Sequence, residues 1–242
     1  MHSSPWAATA LPLSRANDAT RVEYLRKVAL LTLGGLALSA ISATLSAGLI
    51  MAAPGLLGNR IAQLVVLFGS YGLAHVVARG MVFSQSAATR VSGFLLGSVS
   101  QGVAMGYLLL VAVITATSQG ANPLLFIGQA MGLVSMTAVG MLFYLLTGPK
   151  QLSWVRGMMA MMSLPMLGLM VLSFVFPIGG PLGMLMSVAF VGMSAAGLMY
   201  QMNAVVHTMR TDQHIAGAYT ITMGLLVLFW NVLSLLLRMQ RR

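Results

Sequence analysis

Few residues of this 242-residue chain have side chains suited to chemistry, and most of those that do are neutral. There is no cysteine, which removes thiolate metal sites and cysteine nucleophiles. The three acids, Asp18, Glu23 and Asp212, all fall outside the long apolar stretches. Ion-coupled transport generally needs a carboxylate within the membrane to bind and release the ion, so the sequence argues against a carboxylate-based pump or antiporter. His75 lies one helical turn before Arg79, where it reads either as a proton-sensitive site or as a hydrogen-bonded structural histidine. His207 and His214 flank Arg210 and Asp212, which resembles a metal set only loosely and reads better as a solvated loop. Met158, Met162, Met166 and Met170 repeat every four residues, and although thioethers bind Cu(I), no His or Cys accompanies them. Adaptable packing is the better account of that row, and Pro165 is expected to kink its helix. No Ser-His-Asp order, HExxH, phosphate-cradling glycine loop or dinucleotide fingerprint is present. The chain reads as no enzyme, with no cofactor.

The elements that must position these residues are transmembrane helices. Hydrophobic residues make up 58% of the sequence and charged ones 7%, with a mean hydropathy of +0.91. A soluble domain has about a quarter of its residues charged, and a fold of this size could not hide so much apolar surface from water. A helix needs about 20 apolar residues to cross the bilayer. Seven stretches qualify or nearly so: 28–53, 61–78, 91–116, 122–147, 157–176, 181–206 and 215–237. Turn-forming residues separate them, as at Ala53-Pro54-Gly55 and Pro177-Ile178-Gly179-Gly180-Pro181. The expected organisation is a cytoplasmic tail over 1–27 and one membrane domain over 28–242.

Charge sets the orientation. The net charge of +10 comes from 13 Lys and Arg, which sit singly rather than in a patch interleaved with aromatics, so nucleic acid is not the expected partner. Arg15, Arg21, Arg26 and Lys27 precede the first span. Arg79 and Arg90 lie in or beside the second connection, Lys150 and Arg156 in the fourth, and Arg210 in the sixth. With the N-terminus cytoplasmic these are inside, while Arg60, Arg238, Arg241 and Arg242 are the exceptions. A bacterial inner membrane is the expected location, with the mitochondrial inner membrane as second choice.

Within the spans, Gln63, Gln101, Gln129, Gln201, Asn203 and Asn231 supply neutral polarity, for interhelical hydrogen bonds or for a polar path. Gly93/Gly97, Gly102/Gly106 and Gly128/Gly132 are spaced so that helix backbones can approach closely, and predict tight packing of spans three and four.

Three stretches carry a resemblance to a known family. Gln129-Ala130-Met131-Gly132-Leu133 is followed by Phe143-Tyr144-Leu145-Leu146-Thr147 and Lys150-Gln151-Leu152-Ser153. Gly197-Leu198-Met199-Tyr200-Gln201-Met202-Asn203 is the second stretch, and Asp212-Gln213-His214-Ile215-Ala216-Gly217-Ala218 the third. Over about residues 90–240 the chain resembles the Bax inhibitor-1 (YccA-like) family. The resemblance implies two layers of three helices around a central C-terminal helix, and a calcium leak controlled by two proton-sharing carboxylates. The family's aspartate positions fall on Gln201 and Gly224, and its loop aspartate on Gln151. Arg79 matches a family basic residue, here without an acidic partner. Gln and Gly cannot titrate, so the fold is expected without that gate. Two functions follow: a leak or stress-response membrane protein, or a non-transporting accessory subunit. The bilayer and other membrane proteins are the expected partners.

Overall fold

The computed structural model describes residues 13–53, 55, 59–147, 152, 154, 155, 157, 158, 161 and 180–240. Among these residues all regular structure is helical, apart from a single isolated bridge residue, Arg210. Among the described residues, six helices are long and apolar enough to cross a membrane. They are α1 (Asp18–Ala52), α2 (Ile61–Val82), α3 (Ala87–Ser118), α4 (Pro123–Leu146), α5 (Gly180–His207) and α6 (His214–Gln240). The stretch expected as the fifth span, 157–176, falls almost entirely outside the described residues, as do Gln151, Pro165 and most of the methionine row.

Local chemistry explains where these helices begin. The side chain of Asn17 accepts a hydrogen bond from the Thr20 amide at 2.9 Å, and Asp18 stands in the positive first turn. Helix α1 therefore starts inside the segment expected to be a tail, supported by the Lys27–Glu23 ion pair at 2.6 Å. Asn59 caps α2 through the Ile61 and Ala62 amides, and Asn122 caps α4 with Pro123 following it.

The chain forms two compact units. One comprises the described residues up to Val113 with Ala204–Leu226, and the other those of Ile114–Asn203 with Val227 onward. In the first unit, α1 and α3 meet along a seam of small residues. Ser39 donates to the Ser98 carbonyl and Ser42 to the Val99 carbonyl, both at 2.9 Å. Gly102 faces this seam so closely that an added Cβ would stand 2.5 Å from the Ser39 carbonyl oxygen, and one on Gly106 would overlap Ala43 and Ser46. Gly93 instead faces α2, where a Cβ would lie 2.6 Å from that of Met81. The glycines of α3 thus pack against α1, α2 and Tyr219 of α6. Gly128 and Gly132 on α4 have nothing within 4 Å of an added Cβ. Close approach needs small residues on both helices, and α1 is the helix that supplies them.

The core of this unit joins Leu13, Tyr24 and Val28 to Ala74, Ala78 and Val82, Phe94, Val205, Ala216 and Tyr219. Leucines 30, 33, 45 and 49 of α1 point outward, 60–71% exposed. Apolar surface of this extent is what a bilayer covers. In the second unit the buried side chains include Ala130, Val134, Leu145, Leu198, Leu228 and Leu233.

Candidate functional site

Helix α2 is not uniform. Residues Leu73–Ala78 form a π-helical turn, with α-helix before it and from Arg79 after it. Such turns are rare and are frequently found at functional positions. His75 stands in the middle of this one. Its ring stacks on that of Tyr71 with centroids 4.0 Å apart and planes tilted by 31°. The side chain of Gln101, on α3, lies beside it. The two approach without closing a well-formed hydrogen bond, so that His75 Nε2 and Gln101 Oε1 are both buried without a partner. Arg79, on the next turn, is close enough for its charge to act on His75 and on Tyr219.

Tyr219 reaches the same turn from α6. Its hydroxyl donates to the Ala74 carbonyl. The ring fits because position 97 is glycine, where a Cβ would come within 2.5 Å of its Cε2. His75 and Arg79 were marked by the sequence, and Gln101 was one of its neutral polar residues. Tyr219 and the π turn were not legible in it. A tyrosine in an apolar helix looks like any membrane aromatic, and Leu73-Ala74-His75-Val76-Val77-Ala78 has nothing to separate i+5 from i+4 bonding.

A second polar cluster lies at the charged end of this unit. Arg90 donates to the Asp212 carbonyl at 2.8 Å and to the Gln85 carbonyl at 3.2 Å. Its guanidinium is 3.8 Å from the Asp212 carboxylate, which Arg210 approaches to 3.6 Å. Arg21 reaches His207 Nδ1 at 3.5 Å, the Leu13 amide donates to the Met209 carbonyl at 2.9 Å, and the Tyr24 hydroxyl lies 3.7 Å from the Met209 sulfur. The N-terminal segment, the connection after α2 and the one before α6 therefore meet, three segments that share basic charge. His214 is the first residue of α6, two positions after Asp212. No group of three or more His, Cys, Asp or Glu able to hold a metal ion occurs among the described residues.

Of the family gate positions, Gln201 lies in α5 and Gly224 in α6, within different compact units. The Gln201 Oε1 is buried without a hydrogen-bond partner. The comparison with protein families decides the relationship: the model described as "Inhibitor of apoptosis-promoting Bax1" matches residues 21–242. This chain belongs to the Bax inhibitor-1 family. The match takes in α1 and α2, and so includes the π turn and the serine seam, which the motif resemblance over 90–240 did not reach. No curated protein and no solved structure matches the chain.

Proposed function

We propose that this chain is a seven-span, non-enzymatic stress-response membrane protein of the Bax inhibitor-1 type that works without the family's carboxylate gate. The proposed location is a bacterial inner membrane, with the N-terminus cytoplasmic. One observation carries the reading: all three acids stand outside the apolar stretches, and two of them are already in ion pairs. Glu23 is bonded to Lys27, and Asp212 lies against Arg90 and Arg210. Divalent cations need anionic oxygens to offset their dehydration, which isolated amides do not supply.

Calcium flux tests it. The purified protein in liposomes should pass negligible calcium, with no change between about pH 6 and 8, where a raised carboxylate pKa would act. Gln201→Asp together with Gly224→Asp should introduce pH dependence if the family's gate geometry survives. A robust pH-gated calcium flux through the unmodified protein would overturn the proposal.

The second reading is a non-transporting accessory subunit of a larger membrane complex. Gly128, Gly132 and Gly140 favour it, because α4 leaves all three with open space where a partner helix could pack. Purification from a mild detergent separates the two. A stoichiometric membrane partner supports the subunit, and a lone protein supports the first reading.

A further inference from the structure

We propose that the Tyr219 hydroxyl is a latch holding α2 in its π register, and that releasing it turns the half of α2 before the π turn relative to α3. A π turn closes i→i+5 bonds and takes in one residue more than the α-helix on either side, a rare arrangement that needs support from its surroundings. The Ala74 carbonyl is in this turn and receives the Tyr219 hydroxyl. The hydroxyl gives this carbonyl a second donor from another helix, and in hydrocarbon no water replaces it, so the bond favours the register that presents the carbonyl to Tyr219.

The surroundings are shaped for this contact. Tyr219 is 3% exposed, and Ala74 and Ala78 are fully buried beside it. Gly97 leaves the notch its ring occupies. The Tyr71–His75 stack, by contrast, makes no closed bond to Gln101, so it adds no polar tie between the π turn and α3 at that point. Without the hydroxyl, nothing from α6 holds the turn in its π register, and it returns to the commoner α geometry. Absorbing the additional residue rotates the preceding half by about 100° and carries an outward side chain roughly 5–8 Å, given the helix's diameter. His75 then leaves Gln101. The membrane domain gains two discrete states from one helix.

The chain has no cysteine, so two introduced ones are unique labels. Val65→Cys on α2 and Val91→Cys on α3 are suitable, being 66% and 46% exposed. Spin-label distances between them, measured by pulsed electron resonance in lipid nanodiscs, should form one narrow distribution. Tyr219→Phe should shift it by several ångströms, and Gly97→Ala should do the same by displacing the ring. Deleting Val76, which is 72% exposed, removes the additional residue while the flanks keep their faces. In that background the distance should match the unmodified chain, and Tyr219→Phe should be silent. An unshifted distance in Tyr219→Phe, or an equal shift with Val76 deleted, overturns the latch. If Tyr219→Phe does not fold, Gly97→Ala decides in its place, measured with and without Val76 because its methyl also meets Ala78: a shift that vanishes on deleting Val76 supports the latch, and no shift, or one that survives the deletion, overturns it.

Discussion

Gly106 and Gly132 are the same residue in similar apolar helices, yet an added methyl group should affect them oppositely. At Gly106 the methyl would enter the backbone of Ala43 and the Ser46 hydroxyl, while at Gly132 it meets nothing. Gly106→Ala is expected to cost about 1–3 kcal/mol through overpacking. Gly132→Ala is expected to be neutral or to gain up to about 1 kcal/mol from helix propensity. Thermal unfolding in detergent, followed by circular dichroism, checks both, and equal losses would contradict the packing described. The spacing of these glycines was legible in the sequence, but their partners were not. A repeat of four says that a face is small, and the face opposite it decides whether that smallness is used. His75 and Arg79 show the same division. His75 was visible as a costly residue in an apolar stretch and Arg79 as the basic residue that closes it, whereas the Gln101 and Tyr219 that surround them became meaningful only once α3 and α6 were placed.

Among the elements, α1 carries the clearest consequence of how its end is built. Helix α1 begins at Asp18 because Asn17 caps it and because Tyr24 and Val28 are buried in the core. Hydropathy alone placed that boundary later, since Arg21, Arg26 and Lys27 hide an amphipathic first turn.

At the scale of the whole molecule, composition made the class plain before any element was placed. Basic residues alternating between connections predicted which connections share a side, and Arg90–Asp212, Arg21–His207 and Leu13–Met209 join three of those predicted to be together. A reporter fused after Arg210 should accordingly be active in the cytoplasm, and one fused after Ala121 should be active outside. The reverse pair of outcomes would invert the orientation. The gate positions were read as substituted from motif alignment, because family motifs can be matched residue by residue while hydropathy passes over a single Gln among apolar neighbours.

The contacts of Met209 also impose an order on synthesis. Tyr24 lies 185 positions before Met209, and Arg21 lies 186 before His207, whereas the serine bonds between α1 and α3 span only 57 to 59. At roughly 5–20 residues per second, the ribosome leaves the N-terminal segment waiting for about 10–40 seconds after it emerges. Helices α1 and α3 can pair early in that interval, but the core around Leu13, Tyr24 and Tyr219 cannot close until the last helix enters the membrane. A nascent chain stalled at Asn203 should therefore leave the Leu13–Arg21 segment open to added protease, and one extended through Leu226 and clear of the ribosome should protect it. Residues made well before α6 are among the last to find their places.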